Sequence, residues 1–147
     1  MTTAQERFRV VVRDRLAPGL RSMGLRGSGQ TYTLPSDTCW AQLGIQRSTW
    51  SDRDTVEFTA NLSVISRAAW VSAVEERPHL GAKPTPNTYS LSRGRFQERI
   101  GRVAGGGDYW WRLSADGRDE ASTCSDFLAM IETHGLPALR HEVENRS

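Results

Sequence analysis

At 147 residues the chain has the length of one domain and can bury one sizeable core. Its hydrophobic share of 37% and charged share of 24% are ordinary for a globular protein. A net charge of +2 is too near neutral to announce a polyanionic partner.

The charge is unevenly placed. Residues 1–29 carry six arginines against Glu6 and Asp14, a balance of +4, whereas residues 119–147 hold six acids against Arg140 and Arg146, a balance of −4. A first helix packed near the acidic C-terminal part would use that asymmetry. Cys39 and Cys124 lie far apart and outside any CxxC pattern, which reads as two free thiols in a reducing compartment. The opening "MTTAQERFRVVVRDRL" has no uninterrupted apolar segment and does not read as a secretory leader. Nowhere does an apolar run approach the roughly 18 residues of a membrane span. The expectation is a cytoplasmic protein without a membrane partner.

In chain order, Thr3-Ala4-Gln5-Glu6 matches a capping box, in which the Thr hydroxyl and Glu carboxylate satisfy amide donors at a helix start. Phe8, Val12, Leu16, Leu20 and Met23 then recur at helical spacing, one apolar stripe facing a core. Pro18 removes a backbone donor and presses on the preceding turn, so a kink or break is expected there. Gly24 stands where a C-terminal cap belongs. "GSGQTYTL" leads into a short strand around Tyr32 and Leu34, and Pro35-Ser36-Asp37 turns the chain.

From Cys39 to Ser48, Ala41, Leu43 and Ile45 alternate with Trp40, Gln42, Gly44, Gln46 and Ser48. From Thr55 to Val64, Val56, Phe58, Ala60, Leu62 and Val64 alternate with Thr55, Glu57, Thr59, Asn61 and Ser63. This period of two marks antiparallel strands with one buried face. Parity pairs Ile45 with Val56 and Leu43 with Phe58. Gln46 then faces Thr55, Gln42 faces Thr59 and Trp40 faces Asn61 on a polar outer surface. Arg47, on the core side by parity, must escape at the strand end into the loop with Trp50.

Ser66 is a cap for a short helix over 67–77, with Trp70 and Val74 inward and Pro78 as its stop. Three prolines between 78 and 86 mark a surface loop around 78–94 within a single domain, 1–147. "RFQERIGRV" and "DYWWRL" read as a strand pair around Gly105-Gly106-Gly107. Of Trp110 and Trp111, one belongs to the core and the other meets a partner element or solvent, because adjacent strand residues point to opposite faces. A third helix over about 122–134 has Thr123 as a candidate cap, with Phe127, Leu128 and Ile131 as anchors. Gly135 ends it, and Pro137 opens a last short helix carrying Leu139 and Val143. The elements add up to an α+β domain, an antiparallel sheet of about five strands with helices packed mainly on one face.

The order of "PGLRSMGLRGSGQTYTL", "GIQRSTW", "VEFTANLSV", a Trp pair and "HGLPAL" resembles a bacterial family, domain of unknown function 4304 (DUF4304). In that family a helix runs into a Gly-aromatic-Arg/Lys segment, followed by a Gln-Lys-Ser or Gln-Arg-Ser step and a late Gly-Leu-Pro. The likeness spans residues 7 to 143, with Leu25 where the family commonly has an aromatic residue. The resemblance supports the fold and implies no established activity. An immunity or antitoxin-like role is an association carried by small bacterial domains of this kind.

Gln46-Arg47-Ser48 sets an amide, a guanidinium and a hydroxyl side by side, a set suited to an anion or a peptide backbone. Polar alternation by itself accounts for Gln46 and Ser48. With Trp40, Trp50, Asn61 and Trp110 they form the candidate ligand- or partner-binding set, since aromatics and Arg are enriched at contact hot spots. "VAGGGDY" lacks phosphate-loop spacing and a following lysine, and reads as a hairpin turn. Arg93, Arg95, Arg99 and Arg102 alternate along a strand, where they either track a phosphate backbone or guard a sheet edge with charge. His79, His134 and His141 are scattered, with no HxxxH or Cys/His cluster, so no metal or other cofactor is expected. Ser48 has no nucleophile-elbow context, and Glu75-Glu76 and Asp119-Glu120 read as helix-end or loop charges, so no catalytic residue is named.

These readings favour a non-catalytic binding module of a bacterial cytosol whose partner is another protein. One alternative is nucleic-acid binding through the Arg-rich strand 93–102. The other is a small-molecule-binding domain or an enzyme of unknown chemistry.

Overall fold

A computed structural model describes residues 2–90 and 92–147. Met1, and Leu91 within the loop expected around 78–94, lie outside the described residues.

Thr3 forms its half of the capping box: Glu6 N donates to Thr3 Oγ1 at 3.1 Å and opens α1 (Ala4–Val11). The helix does not stop at Pro18. It widens into a π turn, Val12–Leu16, where the Ala17 amide bonds back five residues to the Val12 carbonyl, and resumes as α2 (Ala17–Ser22) with Pro18 in its first turn. The chain repeats this device near its other end. There α5 (Glu120–Met130) widens through Ile131–Gly135, with Leu136 N bonded to Ile131 O, and continues as α6 (Leu136–Arg146), with Pro137 in its first turn. The wider turn relieves the contact between each proline ring and the turn before it. The break expected at Pro18 is therefore a local widening, and Gly135 and Pro137 lie inside one long helix instead of between two.

Gly24, at φ +99°, ends the first helix. The chain then lays down β1 (Arg26–Ser28), β2 (Thr31–Leu34), β3 (Cys39–Arg47) and β4 (Thr55–Ser66), each antiparallel to the next. On the far side of β4, β5 (Phe96–Arg99) pairs with residues 61–64 and β6 (Trp111–Ser114) with residues 55–58. The two segments expected to pair with each other thus share β4, one beyond the other. Between them the short α4 (Ile100–Val103) drops Ile100 into the core.

The β3–β4 register differs by four residues from the pairing expected by parity. Ile45 lies opposite Ala60, Leu43 opposite Leu62 and Arg47 opposite Phe58. An even shift leaves every side chain on its expected face. Gln46 therefore faces Thr59, Gln42 faces Ser63 and Trp40 faces Ile65. The turn between the strands sets this register by tying itself together. Asp52 Oδ1 accepts from Asp54 N and Thr55 N, both at 2.9 Å, and Ser51 Oγ accepts from Glu57 N at 3.0 Å. The two amides, Thr55 foremost, hold the Asp52 carboxyl below its usual pKa.

Both long helices cover one face of the sheet. Phe8, Leu16 and Leu20 from the first, and Phe127, Ile131 and Leu139 from the last, close over Leu43, Ile45, Phe58 and Leu62 in a single core. Glu120 joins the two helices across their surface, 3.0 Å from Arg7 and 2.8 Å from Arg15, so the basic start and the acidic C-terminal part do meet. On the other face lies α3 (Arg67–Glu76), started by Ser66 Oγ accepting from Ala69 N at 3.1 Å. There Trp70 and Ala73 form a separate small cluster with Ile65, flanked by Trp40 and Leu80.

Candidate functional site

The outer face of the sheet is polar by parity, and most of its length is roofed. At one end α3 covers Ile65. In the middle the segment leading from a 3₁₀ turn, Pro78–Leu80, towards β5 folds back over the strands, with Pro84 and Pro86 buried. Asn87 fixes this cover. Its Nδ2 donates to Ile45 O at 3.0 Å, and its Oδ1 accepts from Asn61 Nδ2 at 3.0 Å. Beneath it Gly44 leaves the room: a Cβ there would stand 2.1 Å from Asn87 Oδ1. Gln97 holds the cover from the β5 side, donating from Nε2 to Pro86 O at 3.2 Å and Thr88 O at 2.9 Å.

What stays open is a cleft of about 370 Å³ between this cover, β5 and the turn that carries Asp108. Gln46 and Asn61 lie at its base, with Asn61 Nδ2 donating to Gln46 Oε1 at 2.7 Å. Their remaining polar atoms, the Gln46 Nε2 donor and the Asn61 Oδ1 acceptor, have no protein partner among the described residues. At the rim Arg99 is 2.7 Å from Asp108 and stacks over Trp110, its guanidinium carbon 5.1 Å from the ring centre. Arg102 reaches the same Asp108 at 3.7 Å and Glu98 at 3.8 Å.

The seven residues singled out from sequence do not form one patch. Gln46 and Asn61 meet in the cleft, and Trp110 reaches its rim through Arg99. Trp40 sits at the opposite end of β3, beside Ile65, roughly 20 Å along the strand at about 3.3 Å per residue; Arg67 lies 3.9 Å over its ring and Lys83 5.4 Å. Ser48 caps the hairpin turn, its Oγ accepting from Trp50 N at 3.1 Å. Arg47 is exposed at the strand end, and Trp50, 88% exposed, projects from the tip. Gln42 is only 3% exposed, and among the described residues its Oε1 has no hydrogen-bond partner. Of the tryptophan pair, Trp111 is the core residue, lying opposite Phe58 and donating from Nε1 to Asp126 at 2.8 Å.

The four arginines of 93–102 are likewise dispersed. Arg99 and Arg102 share Asp108, Arg93 is exposed, and Arg95 turns inward under the cover. Asn87, Gln97 and Asp108 are cleft residues that sequence reading passed over. A glycine in the interior of a well-patterned strand was the available signal, since Gly44 marks a close backbone approach. Among the described residues no three His, Cys, Asp or Glu side chains are grouped to hold a metal ion, and no helix is long and apolar enough to cross a membrane. Cys39 and Cys124 are free and buried.

An antiparallel sheet carrying its helices mainly on one face, with an amide-floored cleft on the other, defines a small α+β domain. A family model, Domain of unknown function (DUF4304), matches residues 16–141, and the chain belongs to that family. No curated protein and no solved structure matches it.

Proposed function

We propose that the domain is a non-catalytic binding module of the bacterial cytosol, and that it receives a polar segment of a protein partner in the cleft at Gln46 and Asn61. The carrying observation is the unpaired donor and acceptor side by side at the cleft base, Gln46 Nε2 and Asn61 Oδ1. One donor beside one acceptor complements a peptide group or a side-chain amide. Asn61 is held by Asn87 and in turn holds Gln46, so little ordering remains for the partner to impose. Trp50 adds a large exposed ring four residues beyond Gln46, and Trp110 a half-buried ring under Arg99 at the rim, as aromatic contacts of the kind that dominate protein interfaces.

The test is capture of partner protein from native lysate by the wild-type domain and by the double variant Gln46→Ala, Trp50→Ala. Trp50 lies outside the core and Gln46 gives up one part-buried hydrogen bond, so the variant is expected to unfold cooperatively at a slightly lower midpoint and lose the captured protein. Capture at the wild-type level removes the cleft from consideration.

A further inference from the structure

A second cavity, of about 450 Å³, shares Tyr89 with the amide cleft and opens between the end of α3, the 3₁₀ turn and residues 85–90. Arg77, His79 and Arg95 contribute nitrogen-bearing side chains to its lining, and Thr88 and Ser90 contribute hydroxyls. Among the described residues no Asp or Glu lines it.

Arg95 is the informative group. Its guanidinium is half-buried, and among the described residues its hydrogen bonds go to neutral oxygens: Nε to Ser63 Oγ at 3.0 Å, Nη1 to Ser90 Oγ, and Nη2 to Thr85 O at 3.1 Å. Among the described residues it has no carboxylate partner, unlike Arg7, Arg15, Arg99 and Arg102. Burial without a counter-charge lowers its pKa from the ordinary arginine value. A guanidinium still keeps its proton, so the fold holds in this concave place a half-buried positive charge met, among the described residues, only by neutral oxygens and by the face of Trp70, 5.9 Å from its guanidinium carbon. Such a charge is costly unless an anion completes it.

The surroundings favour phosphate over a simple carboxylate. Donors reach the cavity from the chain after α3 and from the covering segment, an arrangement suited to a tetrahedral group with several acceptor oxygens. The volume lies in the range of small-molecule sites, about 300–1,000 Å³, and exceeds what a bare ion fills. Trp70 stiffens one wall, its Nε1 donating to Gly81 O at 3.1 Å, and Tyr89, 74% exposed, stands at the mouth as a flat surface for an organic group.

We propose that this cavity binds a small phosphate ester, with Arg95 and His79 on the phosphate, Thr88 and Ser90 completing its donors, and Tyr89 against the organic body. The site adjoins the amide cleft at Tyr89 but does not rest on the function proposed for that cleft.

The test is calorimetric titration of the intact chain with adenosine 5′-monophosphate, inorganic phosphate, adenosine and a short single-stranded oligonucleotide. The monophosphate should bind saturably and more tightly than inorganic phosphate, with adenosine silent. Arg95→Gln should weaken the monophosphate by at least about tenfold, as expected for loss of a charge-assisted contact. Arg95 also ties the cover to Ser63, so its variant is paired with His79→Ala and Tyr89→Ala, which alter exposed side chains and should each weaken binding about threefold or more. Absence of saturable binding at millimolar monophosphate overturns the proposal, as does binding that none of the three variants changes. Inorganic phosphate binding as tightly as the ester overturns the organic part of the assignment. Oligonucleotide binding without monophosphate binding would instead assign the charge to nucleic acid.

Discussion

Asn87 Oδ1 fills the space that a side chain on Gly44 would need, 2.1 Å from where its Cβ would stand. Glycine inside a strand ordinarily weakens it. Here it lets the covering segment rest on the β3 backbone, with Asn87 Nδ2 bonded to Ile45 O. Gly44→Ala should push that cover away or distort the strand, destabilising the domain by about 1–3 kcal/mol. Urea unfolding measures the change. A variant as stable as wild type would mean that residues 84–88 do not bear on β3.

The amide triad should behave as one unit. Asn61→Ala removes the donor shared by Gln46 Oε1 and Asn87 Oδ1, leaving two acceptors to be rehydrated at a part-buried site, at a cost of about 1–2 kcal/mol. Asn87→Ala removes one of the same bonds, so the two losses should not add. A double-mutant cycle should show a coupling of about 0.5–2 kcal/mol. Additive losses would indicate that the covering segment is held by Gln97, Arg95 and the prolines without the amide triad.

The adjacent tryptophans should differ sharply in what they contribute to stability. Trp111 stacks on Phe58 with centroids 6.1 Å apart and meets Phe127 edge-on at 5.0 Å, while its Nε1 donates to Asp126. Trp111→Ala opens the core and should cost about 3–5 kcal/mol. Trp110 is half-buried beneath Arg99, and its truncation should cost about 1 kcal/mol or less. Equal losses would place β6 in the wrong register against β4.

The contrast between these tryptophans shows where sequence reading reached its limit. Alternation told which faces of β3 and β4 are buried, and Ala41, Leu43, Ile45, Phe58 and Leu62 all lie in the core as read. Parity cannot distinguish registers that differ by an even number, so the hairpin slid by four residues with every side chain still on its expected face. In the same way, nothing local told Trp110 from Trp111; the choice rests on the pairing of Trp111 with Phe58, some fifty positions earlier in the chain. The polar outer face was legible, and its roof was not. Asn87 sits among prolines in a segment without periodicity, and only its contacts with Gly44, Ile45 and Asn61, distant in sequence, give it a role. The long helices were legible as apolar stripes, yet their passage through Pro18 and Pro137 depends on π turns that accommodate a residue otherwise read as a break or a start.

Cys124 offers a test of the helical layer that is independent of the sheet. Burial is the main cause that raises its thiol from 9.0 to about 11, with Arg15 opposing and Glu120 adding to the rise. A raised thiol pKa means that the folded chain keeps a proton which the unfolded chain releases first. Its contribution to stability is therefore intact below about pH 9 and declines as the pH climbs towards 11. Wild-type protein should lose stability across that interval, and Cys124→Ala should show a shallower decline. At pH 8 the native thiol is almost wholly protonated, so an aromatic disulfide reagent should label neither Cys124 nor the equally buried Cys39 until denaturant is added. Rapid labelling of Cys124 in the native state would mean that α5 opens away from the first helix, and that the Glu120 link to Arg7 and Arg15 does not hold the two together.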